Sequence, residues 1–130
     1  MRTWNLTVSG VLLCVFVIGC AAQQTPIAIT PSEREKGILI EAKSFEFRPS
    51  MIKIDVPGRL LLHIRNVSSM EHNFTLKNPD GEVITSVSLP EGKTITTEID
   101  LPRSGTYPFY CDKPFHPSLG MKGVVEVLGK

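Results

Sequence analysis

The sequence predicts an all-β sandwich of eight short strands. Three observations carry this. Beyond residue 37, apolar residues recur at every second position in short runs, and Pro-, Gly- and Asn-rich turns separate those runs. No long amphipathic helix interrupts them and no internal repeat is visible.

The N-terminal part stands apart from this pattern. Residues 1–19 read as an export signal. Arg2 supplies the positive charge, and the mostly apolar stretch from Leu6 to Gly19 is too short for a comfortable membrane span. In Val17-Ile18-Gly19-Cys20 a small residue precedes a cysteine, with aliphatics ahead of it. This resembles the lipobox of bacterial lipoproteins. The resemblance implies cleavage before Cys20, a lipid thioether on its sulfur, and a bacterial membrane anchor with the domain facing the periplasm or the cell exterior. Leu13 before Cys14 is too large for the same role. Residues 20–36 then read as the lipidated cysteine and a flexible tether rich in Ala, Gln and Thr. Within it, Thr30-Pro31-Ser32-Glu33 has the form of a helix start with a capping box, and Gly37 would end that helix.

The cysteines follow from this reading. Cys14 leaves with the signal and Cys20 carries lipid, so Cys111 is the one thiol left and no disulfide can form within the chain. A lone thiol in an oxidising compartment needs an occupant, and a metal is one.

The predicted domain spans residues 37–130. Its first run is Ile38 to Phe47. Ile52, Ile54 and Val56 alternate with Lys53 and Asp55, and Pro57-Gly58 suits the centre of a type II turn. Leu60, Leu62 and Ile64 form a third run, and His72, Phe74 and Leu76 a fourth. Asn78-Pro79-Asp80-Gly81 turns the chain into the run Val83 to Leu89, and Pro90-Glu91-Gly92 turns it into Ile95 to Leu101. Tyr107 to Cys111 and Val124 to Leu128 complete the eight.

Charge gives little. The chain has 14 Lys and Arg against 13 Asp and Glu, and loss of Arg2 with the signal makes them equal. No basic run exists, which argues against nucleic acid as a partner.

The chemistry gathers between the last two runs. Cys111, His116 and Met121 lie on one loop with four residues between each pair, and Pro114, Pro117 and Gly120 stiffen or bend it. Taken singly, such residues are usually core filler or satisfied polar side chains. Together, a thiolate, an imidazole and a weak thioether are three of the four ligands of a mononuclear copper site, and a second imidazole is the fourth. His72, 39 positions before Cys111, is the candidate. Asn73 beside it is placed to bridge the two ligand segments, and backbone N–H groups nearby to donate to the sulfur. His63 faces outward on its run and is not expected to be a ligand; Met51 and Met70 read as packing residues. The sequons at Asn66-Val67-Ser68 and Asn73-Phe74-Thr75 lie in or beside strands and are discounted as glycosylation sites.

At these residues the sequence resembles the cupredoxins, the plastocyanin and azurin group of blue copper proteins. The matching pieces are Glu71-His72-Asn73-Phe74, Gly105-Thr106-Tyr107-Pro108-Phe109-Tyr110-Cys111, His116-Pro117 and Gly120-Met121-Lys122-Gly123-Val124-Val125, with Asn66 ahead of them. The resemblance implies an eight-stranded Greek-key sandwich with one copper at its end. It implies His72, Cys111 and His116 as strong ligands and Met121 as the weak axial one. Four residues between Cys111 and His116, where plastocyanin has two, look more like azurin, auracyanin or rusticyanin.

Absent features narrow the function. Tyr110 and Asp112 flank Cys111 where multicopper oxidases and copper nitrite reductases carry His, and Phe115 stands where a binuclear copper site needs a second Cys. A four-ligand site has no open position for a substrate. The expectation is therefore a tethered one-electron carrier rather than an enzyme, with redox proteins as partners and a monomeric state. The resemblance places the surface for electron entry at His116, ringed by Phe115, Pro117 and Leu119, with Tyr110 as a second route outward. A copper chaperone, store or sensor is the rival, weakened by the lack of a Met- or His-rich tract.

Overall fold

The computed structural model of the protein describes residues 24–129. The segment read as an export signal, with Cys14, and Cys20, the expected site of lipid attachment, lie outside the described residues. Two β-sheets pack face to face. The strands are β1 (Ile27–Ile29), β2 (Ile38–Lys43), β3 (Glu46–Arg48), β4 (Met51–Ile54), β5 (Gly58–Asn66), β6 (His72–Lys77), β7 (Val83–Leu89), β8 (Thr94–Leu101), β9 (Gly105–Tyr110) and β10 (Lys122–Val127). One sheet runs β1-β4-β10-β9-β6-β7 and the other β3-β2-β5-β8. Among the described residues the one helix, α1, is Pro31–Lys36, and none is long and apolar enough to cross a membrane.

The architecture is the predicted all-β sandwich, with ten strands in place of eight. The first addition comes from dividing the run Ile38 to Phe47. It breaks at Ser44-Phe45, where Phe45 has φ +63°, and the two halves pair antiparallel as β2 and β3. Apolar content alone does not reveal such a break. The second addition is β1, inside the segment read as tether. Ile27 and Ile29 are half-buried against the core while Ala28 is exposed, and the strand pairs parallel with β4. Three residues are too few to register as alternation. The folded part therefore begins ahead of Gly37.

Helix α1 has the anticipated start. Thr30 Oγ1 accepts from Glu33 N–H, and the Glu33 carboxylate accepts from the Thr30 N–H at 2.9 Å. The helix buries no residue of its own. It is held instead by Arg34, which donates to the Val56 carbonyl at 2.8 Å and to the Arg59 carbonyl.

Strand alternation points one set of side chains into the space between the sheets. Ile40, Leu60, Leu62 and Ile64 come from one sheet, and Ile52, Leu76, Phe109 and Val125 from the other; all are fully buried. Burying each such side chain contributes roughly 1.5–3 kcal/mol. Three aromatic rings meet at one end of this core. Phe47 lies edge-on to Phe74 and Phe109 at 5.8 and 5.5 Å, and Phe74 and Phe109 are 5.0 Å apart. Phe74 follows His72 by two residues and Phe109 precedes Cys111 by two. The period of a strand thus aims both ligand candidates inward, just beyond the aromatic cluster.

Candidate metal centre

The two ligand segments are neighbours because β6 and β9 pair antiparallel, with Thr75 opposite Tyr110. Past that pair the strands part, and the Asn73 side chain takes over from the ladder. Its Oδ1 accepts from the Asp112 N–H at 2.7 Å, and its Nδ2 donates to Thr75 Oγ1 at 3.2 Å. Lys113 and Glu71 add a surface ion pair across the same gap at 2.7 Å, which holds the Lys113 ammonium above its ordinary pKa.

Three potential ligand atoms, from His72, Cys111 and His116, lie within 4.8 Å of one another. Cys111 Sγ is 3.4 Å from His116 Nδ1 and 3.9 Å from His72 Nδ1, and the two nitrogens are 3.2 Å apart. His72 and Cys111 are fully buried and His116 is half-buried. Burial pushes the His72 imidazole below its ordinary pKa, helped by the nearby His116 and Lys113 charges. Burial thus favours the neutral ring, which has a lone pair to offer.

Which nitrogen carries that lone pair is set from behind. His72 Nε2 lies 2.8 Å from Ser68 Oγ. The Ser68 hydroxyl has two acceptors within reach, Asn66 Oδ1 at 2.8 Å and the Met70 carbonyl at 3.0 Å. When its single proton goes to one of them, it accepts from His72 Nε2–H. That leaves Nδ1 unprotonated and facing Cys111. Asn66 is fully buried, and its Nδ2 donates to the Met70 and Leu89 carbonyls at 2.7 and 2.8 Å. Ser68 is a supporting residue that the sequence analysis missed. Its signal was present as a short polar residue four positions before His72 and two after Asn66. The burial of Asn66 also agrees with setting its sequon aside.

The loop from Cys111 to Met121 is closed on itself. Cys111 N–H donates to the Met121 carbonyl at 3.1 Å, and Met121 N–H to the His116 carbonyl at 3.0 Å. One backbone residue thus ties both loop ligands together. Met121 itself is fully buried. Phe115 takes φ +68°, and Leu119 N–H caps its carbonyl at 3.0 Å. Phe45, from the β2–β3 turn, stands edge-on to His116 at 5.0 Å. Nothing in the sequence pattern marked it as a neighbour of the site. Among the described residues, the hydrogen-bonding contacts of Cys111 Sγ are the two imidazoles; no backbone N–H donates to it, contrary to expectation.

His63, read as a non-ligand, hydrogen-bonds Thr96 Oγ1 at 2.9 Å and the Lys36 carbonyl at 3.2 Å, away from this cluster. Met70 is exposed and contributes its carbonyl rather than its sulfur to the network around His72. Tyr110 is half-buried beneath the Lys77 ammonium, 5.4 Å from the ring centre.

A family model described as the cupredoxin-like domain matches residues 10–127. The chain is a cupredoxin. No curated protein sequence matches it significantly. Among solved structures it resembles reduced auracyanin from Roseiflexus castenholzii, with 20% identity and a TM-score of 0.62 over 70% of this chain and 95% of that one. It also resembles auracyanin A, a blue copper protein from Chloroflexus aurantiacus, with 18% identity and a TM-score of 0.60 over 79% and 99%. A multicopper oxidase matches at 17% identity and a TM-score of 0.55, over 68% of this cupredoxin and 42% of the oxidase. At these identities the likenesses establish the fold.

The donor set fits copper. One thiol and two imidazole nitrogens converge, one imidazole is backed by a serine hydroxyl at its far nitrogen, and a buried thioether residue closes the loop. His72, Cys111, His116 and Met121 of this cupredoxin are arranged as a type 1 copper site.

Proposed function

We propose that this cupredoxin is a membrane-tethered single-electron carrier that performs no chemistry on a substrate. Its residues would hold copper through His72 Nδ1, Cys111 Sγ and His116 Nδ1, with the Met121 thioether as a weak fourth donor. Bound there, copper supplies a one-electron Cu(II)/Cu(I) couple. One observation carries the reading. Three of the four ligand residues are fully buried, and His116 alone reaches partway to the surface. A group with one exposed edge suits electron exchange on contact and leaves no face for a substrate.

The chain's own residues do the rest. Asn66, Ser68 and Asn73 hold the ligand segments in one arrangement, so little has to move when the charge at the site changes. Phe115 and Leu119 are 78% and 59% exposed beside His116, which makes an apolar landing surface for redox proteins that bind weakly and briefly. Pro117 is half-buried at the same rim. Tyr110, adjoining Cys111, offers the second route outward. The lipid on Cys20 would confine the carrier, as a monomer, to the face of a bacterial membrane in the periplasm or at the cell exterior.

A copper chaperone or store would instead need ligands that let go. The copper-loaded protein is cycled repeatedly between oxidant and reductant beside a Cu(I)-binding acceptor. A carrier keeps its copper throughout. Transfer of copper to the acceptor within the first few cycles would replace the carrier reading with the chaperone one.

A further inference from the structure

The place where the chain enters the domain decides which end can face the lipid. β1 runs parallel to β4, and β4 parallel to β10. β10 begins at Lys122, directly after the copper loop, so all three strands start at the copper end. Ahead of β1, Gln24 is fixed at that end. Its Oε1 accepts from the Ser50 N–H at 2.9 Å, and its Nε2 donates to the Phe47 carbonyl at 3.4 Å. Gln24 shares a surface groove with Phe45, Leu119, Gly120 and Lys122.

The reach of the anchor is short. Cys20 lies four positions before Gln24, a span of at most roughly 14 Å of extended chain. β5 alone, nine residues long, covers about 30 Å of the sandwich. A lipid on Cys20 can therefore lie beside the copper end but not beside the opposite one. The surface at that end suits the position: Phe115 and Leu119 project from a stretch without charge, and the exposed Lys122 flanks it.

We propose that the copper-loop end of the domain faces the lipid surface, and that the redox protein docking at His116 is itself embedded in the same membrane. This rests on the lipid-anchor reading of Cys20. A water-soluble partner would have to enter a gap no wider than the anchor allows. A domain of about 100 residues already has a radius of gyration near 13 Å, which makes it too broad. A membrane-embedded partner with an apolar surface at headgroup level needs no such gap.

The orientation can be read with tryptophan, because Trp4 is the one tryptophan in the sequence and lies in the signal. The lipidated mature chain, which begins at Cys20 and carries Leu119→Trp, is reconstituted in phosphatidylcholine vesicles with and without a headgroup spin label. Phe115→Trp serves as a second variant should the first fold poorly. Val56→Trp, between β4 and β5 at the opposite end, is the control. The proposal predicts that the label removes most of the Leu119→Trp or Phe115→Trp emission and leaves Val56→Trp bright. Equal quenching at both ends, with protein still sedimenting with the vesicles, overturns the orientation while the anchor stands. Protein that fails to sediment overturns the anchor reading and the proposal with it. For the partner, a water-soluble redox protein should oxidise the vesicle-bound form far more slowly than the unanchored Cys20→Ala form. Equal rates would overturn the assignment of a membrane-embedded partner.

Discussion

His72 and His116 offer the same atom, Nδ1, to the same thiol, yet they are held in opposite ways. His72 sits at the start of a strand, fully buried, with its far nitrogen fixed by Ser68 and that serine fixed in turn by Asn66. His116 sits on a loop, half-buried, steadied by backbone turns and by the edge of Phe45. One imidazole is clamped from behind by the half-buried Ser68, itself held by the buried Asn66. The other is left with an edge near solvent. The difference separates two tasks that a carrier must combine, keeping the ion and exchanging its electron.

The largest effect should come from the clamp. Asn66→Ala removes both donors to the Met70 and Leu89 carbonyls and the acceptor for Ser68, and should cost about 3 kcal/mol in chemical denaturation. Ser68→Ala is milder in stability, at about 1 kcal/mol. It frees the His72 tautomer and should weaken copper binding roughly 10- to 100-fold in competition titrations. If Ser68→Ala binds copper as tightly as the wild type, the clamp is ornamental and the contrast between the two histidines fails.

Proton linkage sharpens the same contrast. His72 titrates below its ordinary value in the folded protein because burial disfavours its charged form. The unfolded chain therefore takes up the proton first. The stability of copper-free protein should be full above about pH 6.5, the unperturbed imidazole value, and decline as pH falls from there toward the lower folded value. His72→Gln should flatten that decline in a series of denaturant midpoints. A decline unchanged in His72→Gln would assign it to other groups.

The smallest change in stability is expected on the exposed side. Phe115→Ala should shift stability by no more than about 0.5 kcal/mol, since the ring is 78% exposed. It should leave the copper spectrum unaltered and slow electron exchange with a protein partner. An unchanged exchange rate would remove Phe115 from the docking surface.

The two sides also differed in how far the sequence revealed them. The loop was readable because its ligands lie on one short segment at regular spacing, and because a lone Cys111 in a chain read as exported calls for an occupant. His72 was readable once the strand alternation placed it in the sandwich. Asn73 stood out by adjacency, and it does join the two ligand segments. Ser68 and Phe45 were not legible, because their roles depend on where two turns fold back in space. The extra strands were hidden for related reasons. β2 and β3 divide at the positive φ of Phe45, and β1 is three residues long and defined by its pairing with β4.

The central claim is that Cys111 and the two imidazoles form one copper site, and light absorption tests it most directly. Cu(II) is added to residues 21–130, and visible absorption and electron paramagnetic resonance are recorded for the wild type and for Cys111→Ser. The account predicts an intense thiolate-to-copper charge-transfer band in the wild type and none in Cys111→Ser. A colourless wild type, or a band that persists without the thiol, would contradict it.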